Sequence, residues 1–399
     1  MMIDVLAWCL VAITAPPVLM FAIECIAGAA PRDETSAKHA HDDTVVPPFA
    51  VLIPAHNEAA DIAATLSAAA AQLRPGDRLL VVADNCDDAT AALARAAGAE
   101  VVERFSTTQR GKGFALAAGR SALAAWPPAV VVVLDADCVP EPGALQRLAG
   151  HAALEAAAVQ GRYLLTPNGS THPSAQISLF AFAIKNLVRQ RGLQRLGSPA
   201  LLQGTGMALP WPLFAEAELA SDCLAEDLEL GIALVLAGKP VRFLPDAGFN
   251  SPASSLGAAV GQRTRWEHGT IVTAWRHIPA LLAAGLRRPS ILLLALDLTI
   301  PPLALLTVII VATTLVTVLL AGLAAGPAPL LTQLALDALF LLAVGYAWYR
   351  VGRAYLALGT LLHIPGYVLW KLPIYRRLLV DRQRSWVRTA RDATTERKQ

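Results

Sequence analysis

The stretch from Val130 to Pro140, VVVVLDADCVP, runs five apolar residues into Asp135 and Asp137 and stops at a proline. Alternate residues of a strand share a face, so both carboxylates are expected to point toward one edge. Two ionised carboxylates this close repel each other unless a cation lies between them or one takes up a proton. A hard divalent ion resolves the conflict. Mg²⁺ keeps much of its hydration and needs only one or two carboxylates, completing its shell from substrate phosphates. The pair therefore suggests a metal–diphosphate site, with Asp135 and Asp137 as ligands. The plainer reading, a solvated acidic turn, is disfavoured by the buried run in front of it.

Further clusters of reactive types fall where other apolar runs break off. In IPAHNEAADI, Pro54 is expected to end a strand, and His56, Asn57 and Glu58 follow at the start of a helix. Such polar groups can read a base or ribose edge, and they can equally cap the helix. In VVADNCDDAT, Asp84 stands at a strand tip, where an acid suits hydrogen bonds to ribose or uracil, while Asp87 and Asp88 suit helix capping. In TTQRGKGFAL, Gly111 and Gly113 flank Lys112, so the backbone can approach a ligand and the ammonium can meet a phosphate or carboxylate; the wider glycine spacing of a Walker loop is absent. Glu226 and Asp227, in SDCLAEDLELGIAL, open a helix either as macrodipole partners or as a general base for an incoming hydroxyl, and the pair alone leaves both open. In GQRTRWEHGT, Gln262, Arg263, Arg265 and Trp266 crowd five positions. Arginine forks suit a diphosphate, and tryptophan suits the face of a sugar. An interfacial Trp/Arg belt is the structural alternative, and both can hold at once.

The elements that carry these clusters follow from the apolar pattern. From about 48 to 250, short runs rich in β-branched residues (FAVLIPA, RLLVVAD, AEVVER, AVVVVLDAD) alternate with alanine-rich helical stretches. Near-continuous apolar strands separated by helices predict an α/β domain with a parallel sheet covered on both faces. Ligands of open α/β sheets bind at the carboxyl ends of the strands, which is where the acids lie.

The flanks differ. The chain has 399 residues, is 55% hydrophobic and only 16% charged, against about 25% charged in an average soluble domain. Residues 1–30 are apolar apart from Asp4 and Glu24. They predict a transmembrane helix kinked at Pro16–Pro17, since a cleaved signal peptide would need a basic start and a shorter run. Residues 31–47 are polar and read as a linker, 48–250 as the catalytic domain, and 251–290 as interfacial helices holding QRTRW. Residues 291–370 form C-terminal transmembrane or interfacial helices: two spans, 291–322 kinked at Pro301–Pro302 and 328–349, then a shorter apolar piece, 354–370. The basic tail, 371–399, should be cytosolic by the positive-inside rule. The net charge of +2, with no basic stripe, excludes nucleic acid as a partner. Five scattered cysteines without a C-x-x-C read as structural thiols in a reducing compartment.

Taken together, DAD, ED and QRTRW, in that order between membrane segments, resemble the membrane-bound inverting glycosyltransferases of family 2. Their relatives include the cellulose, hyaluronan and poly-N-acetylglucosamine synthases and the ceramide glucosyltransferases. The resemblance covers about residues 48–270. It implies an α/β GT-A type nucleotide-sugar-binding domain with α-helical transmembrane and interfacial segments, in a bacterial inner membrane with the catalytic domain in the cytosol. It also implies a nucleotide-diphosphate sugar donor, usually UDP-linked, and Mg²⁺ or Mn²⁺. By the resemblance, Asp84 would contact the uridine, Asp135 the donor, and Asp137 the metal. Asp227, beside Glu226, would be the base. Gln262, Arg263 and Arg265 would grip the diphosphate, and Pro54, Asn57, Glu58 and Lys112 match donor-side positions more loosely. Trp266 and the Gly204, Thr205 and Gly206 of QGTGM fall where the family lines the acceptor site. Ala225 stands where many members carry threonine.

The expected reaction is a single displacement that yields a β-linked product on a lipid-linked or glycan acceptor in the membrane. A processive polysaccharide synthase that exports its polymer is the variant reading, against which the small membrane part counts. A non-catalytic nucleotide-binding assembly protein would lack the acids that are present. A transporter is suggested only by Asp297 and Asp337 within apolar runs.

Overall fold

Three buried apolar runs and a fourth, half-buried one at the edge begin the sheet that carries the acids. The computed structural model describes residues 2–31, 46–167, 169, 172–221, 223–253, 256–323 and 326–380, without the side chains of 256–260, 262 and 379. Most of the expected linker and the tail beyond Val380 thus lie outside the described residues. The chain divides into two compact units, one built mainly from Pro31–Asn168 and Pro199–Thr273, the other mainly from Met1–Ala30, Gly169–Ser198 and Ala274–Arg382.

The first unit holds one eight-stranded sheet in the order β3-β2-β1-β4-β7-β6-β8-β5. Its strands are β1 (Phe49–Ala55), β2 (Arg78–Asp84), β3 (Glu100–Arg104), β4 (Val130–Val133), β5 (Val139–Pro140), β6 (Ala158–Thr166), β7 (Met207–Pro210) and β8 (Val241–Pro252). β3, β2, β1 and β4 pair in parallel, joined through helices such as Ile62–Ala70, Thr90–Ala96 and Lys112–Leu123. Here the near-continuous apolar pattern reads correctly, since every residue of β4 is buried. The rest of the sheet does not follow the parallel expectation: β4–β7, β6–β7 and β5–β8 are antiparallel, and only β6–β8 is parallel. β7 enters in the reverse sense between β4 and β6, so the sheet is mixed. Both edges are blunted, β3 by Glu100, Glu103 and Arg104 and β5 by its two-residue length.

Pro54 does not end β1, which continues to Ala55. Its missing N–H is tolerated because β4 pairs with β1 only as far as Leu52. The long helix Leu256–Gly285 carries the QRTRW segment.

The second unit is helical. Met2–Ala29, Leu303–Gly322 and Pro327–Arg350 are each long and apolar enough to cross a membrane. The first runs unbroken through Pro16 and Pro17. The expected kinked span 291–322 is instead two helices, Pro289–Asp297 and Leu303–Gly322. The prolines fall in the gap between these two helices, whereas Pro16 and Pro17 are carried inside the first helix. Ile364–Val380 is a further helix that runs past the boundary at 370.

The acids within the apolar runs are paired locally. Arg189, on the π-helical turn Ile184–Arg189, donates from Nε to Glu24 at 2.7 Å and also pairs with Asp297. Asp337 accepts from Thr314 Oγ1 at 2.7 Å and from Gln333 Nε2 at 2.8 Å, and Thr14 Oγ1 donates to Gln333 at 2.9 Å. These bonds tie three apolar helices together and take up the carboxylates that had suggested transport.

Candidate active site

The two acids of DAD are brought together by a turn, not by strand alternation. β4 ends at Val133, the Leu134 amide adds one more bond to Leu52 at 3.0 Å, and the Cys138 amide then donates to the Asp135 carbonyl at 3.1 Å. Asp135 and Asp137 sit at the first and third positions of this tight turn, just beyond the carboxyl end of a central strand.

Part of the charge conflict between them is answered by the protein itself. The Lys112 ammonium pairs with Asp135 and donates to the Gly204 carbonyl at 2.7 Å. Burial alone would depress this ammonium, but the Asp135, Glu226 and Asp227 carboxylates outweigh it and hold Lys112 above its ordinary pKa. Asp137 behaves differently. Burial, then the carboxylates of Asp135 and Asp61, push its acid up to about 7. The turn thus carries more negative charge than Lys112 offsets.

Lys112 opens its helix behind Gly111, whose φ of 129° suits only glycine. A Cβ on Gly113 would lie 3.0 Å from the Ser221 carbonyl oxygen and closer still to that of Leu219. The close approach expected from the G-K-G spacing is therefore made to the chain's own 219–221 backbone.

Gly204, with φ of +82°, is where acid and base types converge. A methyl carbon built there would lie 3.0 Å from Lys112 Nζ and 3.2 Å from Asp227 Oδ2. Asp227 and Glu226 occupy the first turn of the helix Glu226–Leu236. Burial, then the adjacent Asp227, hold Glu226 well above the usual carboxylate range, with Lys112 opposing. Arg265 feels the same acids. Burial draws its guanidinium down, and Glu226, Asp135 and Asp137 work against that. Lys112, Asp135, Asp137, Gly204, Glu226, Asp227 and Arg265 thus form one electrostatic cluster. Arg263 and Trp266 are half-buried on the Arg265 helix, and the side chain of Gln262 is outside the described residues.

The QGTG loop is organised from below by a residue the sequence reading missed. Gln160, fully buried on β6, donates from Nε2 to the carbonyls of Thr205 and Gly161 at 2.9 Å and of Gly206 at 3.2 Å, and accepts from the Gln203 amide at 2.8 Å. Thr205, also fully buried, accepts from the Asp135 amide at 3.0 Å. Gly206 adopts φ of +59°. The Gln160 amide thereby holds the loop, and the Thr205 hydroxyl links the loop to the acid turn.

The tips of β1 and β2 form a second cluster. Asn57 and Asp87 exchange hydrogen bonds, with the Asp87 amide donating to Asn57 Oδ1 at 2.9 Å. The Glu58 amide donates to Thr90 Oγ1 at 2.8 Å, and Asp88 accepts from the Thr90 amide at 2.9 Å. Asp84 accepts from Arg104 Nη1 at 2.6 Å, and His56 Nδ1 lies 2.7 Å from the Asp84 carbonyl. Arg104 was invisible in AEVVER, where it reads as an ordinary strand-end charge. Gln160 did leave a signal, a lone amide in the apolar run AVQGRYLLT.

Comparison with known proteins matches the same region. The model of the family described as glycosyltransferase like family 2 matches residues 47–269. A probable glycosyltransferase, YdaM, of Bacillus subtilis (strain 168) is 30% identical over 236 residues, covering 56% of this chain and 55% of the relative. The chain therefore spans about half the length of that curated relative. Among solved structures, the mannosyltransferase PcManGT from Pyrobaculum calidifontis, in complex with GDP-Man and Mn²⁺, is similar in fold, with a TM-score of 0.53 and 20% identity over 92% of this chain and 99% of that one.

Proposed function

Because the chain belongs to glycosyltransferase family 2, and so is a nucleotide-sugar transferase, we propose that it works as a membrane-integrated inverting enzyme. In this reading it moves a sugar from a UDP-linked donor to the hydroxyl of a lipid-linked or glycan acceptor. The observation that carries the reading is the convergence on Gly204, where Lys112 Nζ and Asp227 Oδ2 come within 3.0 and 3.2 Å of one point. A cation for a departing diphosphate and a carboxylate for an incoming hydroxyl then serve the same reaction centre.

In this mechanism Asp227 accepts the proton of the acceptor hydroxyl as it attacks the anomeric carbon from the face opposite the leaving group. Lys112, Arg263 and Arg265 stabilise the charge that grows on the diphosphate. Asp84 with Arg104, and Asn57 and Glu58 on the neighbouring tip, form the nucleoside side. Trp266 and the QGTG loop face the acceptor. Thr205 acts from beneath, through the Asp135 amide.

A divalent ion fits the residues present. Asp137 is crowded by like charges from Asp135 and Asp61, which favours an added cation. Among the described residues no group of three or more His, Cys, Asp or Glu could hold a metal unaided. Asp137 with Asp135 would hold Mg²⁺ or Mn²⁺, and the diphosphate would complete the shell. Such an ion supplies further stabilisation of the leaving charge. The fold-level neighbour was solved with GDP-Man and Mn²⁺, so guanosine donors are the necessary comparison.

Membrane integration is supported by the three apolar helices. Asp4 accepts from the Gly326 amide at 2.8 Å, so the start of the first helix lies beside the start of the last. Ala29, Leu303 and Arg350 then share the other membrane face. Arg350 and the basic residues after it would lie at that face, which supports a cytosolic side there by the positive-inside rule.

The test offers the purified protein UDP- and GDP-sugars with membrane lipid extract, and identifies the product by mass. Asp227→Asn is expected to lower transfer by at least about 10²-fold while nucleotide binding persists. Near-normal UDP release in that variant would remove Asp227 as the base.

A further inference from the structure

The membrane reading above leaves the segment after the last apolar helix without a role, and its composition is one-sided. From Arg350 to Val380 the chain contains Arg350, Arg353, Lys371, Arg376 and Arg377 and no Asp or Glu. Within the helical unit it forms two short 3-10 turns, Gly352–Ala354 and Leu358–His363, and the helix Ile364–Val380. This helix is not among those apolar enough to cross a membrane, and Lys371, Arg376 and Arg377 interrupt it.

Leu356, Tyr367, Ile374 and Tyr375 of the segment are buried, but three of its leucines face outward. Leu358 is 66% exposed, Leu362 86% and Leu369 64%. Arg353, Arg376 and Arg377 are exposed as well. Arg353 lies over the Tyr349 ring at 4.5 Å, and Tyr367 and Trp370 approach ring to ring at 5.9 Å. Aromatic residues beside arginines mark the level of lipid headgroups. The start of the segment is fixed there too, because it follows directly on a 24-residue apolar helix ending at Arg350. Exposed leucines at that level have hydrocarbon within reach, and exposed arginines have phosphates.

We propose that residues 352–380 form an interfacial anchor that recognises anionic phospholipid. Leu358, Leu362 and Leu369 enter one leaflet, while Arg353, Arg376 and Arg377 bind headgroup phosphates. The occupant is a lipid surface, not a protein groove, because the uncompensated positive charge complements an anionic leaflet and the segment is continuous with a helix that crosses it. Within the described residues the chain crosses three times, and Val380 stays on the side of Arg350.

The test follows hydrogen exchange in the full-length protein in nanodiscs of zwitterionic phosphatidylcholine, and of the same lipid with about one third phosphatidylglycerol. Peptides from 352–380 are expected to slow by at least about tenfold in the anionic discs, an effect that weakens in high salt as screening shortens. The triple variant R353Q/R376Q/R377Q is expected to lose the difference. Peptides from 303–322 and 327–350 should stay protected in both lipids. Equal protection of 352–380 in both lipids and in the triple variant would make it a fourth crossing and overturn the anchor. Exchange that ignores lipid charge, or protection that tracks protein concentration in detergent alone, would overturn it as well. Rapid exchange of 303–322 and 327–350 themselves would instead sink the membrane reading on which the anchor rests.

Discussion

Glu226 and Gln160 are the residues whose chemistry is most exposed to test. The folded protein holds Glu226 well above the usual carboxylate range, through burial and Asp227. A group raised in this way contributes stability that is complete below its unfolded pKa and is lost as pH rises through its folded value. Glu226→Gln removes that loss. It should leave the melting temperature unchanged near pH 4 and raise it near pH 8, by about 2–4 °C for each kcal/mol relieved in a domain of this size. Gln160→Ala strips a partner from the buried Thr205 carbonyl and from the Gln203 amide, while the Gly206 carbonyl keeps the Gly161 amide at 2.7 Å. Each such loss costs about 1–3 kcal/mol. Because the loop they hold lies beside Lys112 and Asp227, kcat should fall at least about tenfold with little change in donor KM. A pure KM effect would show that the loop serves the donor instead. At this scale the sequence pointed to acids that follow a buried run, as Asp135 and Asp137 do, while Asp227 was singled out only by the resemblance to a family motif. The sequence was not legible where a residue works through backbone groups distant in the chain. Nothing local in AVQGRY shows that Gln160 meets residues 203–206.

Among the elements, the parallel half of the sheet was readable because its strands are short, apolar and β-branched. The antiparallel half was not. β8 reads VRFLPDAGFNSP, full of turn-forming types, and its pairing with β6 shifts register between Gly161 and Arg162. A Cβ on its Gly248 would meet the Glu141 carboxylate, which Arg162 and Asn250 hold in place, so a residue that looks like a turn signal serves packing. The helix that begins at Lys112 shows the same displacement of meaning, because Gly113 gives room to the chain's own backbone. Gly113→Ala should cost about 1–3 kcal/mol through overpacking against residues 219 and 221, and should reduce transfer by moving Lys112. Thermal unfolding and UDP release measured together would separate this from Gly111→Ala. There the strain is of order 1–2 kcal/mol, with no contact within 4 Å of the new methyl group.

At the scale of the molecule, the flanking apolar segments were visible from composition, but their subdivision was not. Pro301–Pro302 falls between two helices where one kinked span was expected, while Pro16–Pro17 leaves its helix continuous, so a proline pair alone does not distinguish a break from an unbroken helix. The metal reading is also a statement about the whole enzyme. Excess EDTA should stop transfer, and added Mg²⁺ or Mn²⁺ should restore it. Full turnover in chelator would leave Asp137 without its role. The hydrogen bond from Gly326 to Asp4 reaches across more than three hundred residues, and the one from Thr14 to Gln333 nearly as far. At a synthesis rate of about 5–20 residues per second, the leading helix waits between roughly a quarter of a minute and a minute before its partners emerge from the ribosome. Glu24 is without Arg189 for roughly the first half of that interval and without Asp297 for most of it. Nascent chains halted before residue 290, which lack Asp297, should therefore be good substrates for membrane quality-control proteases.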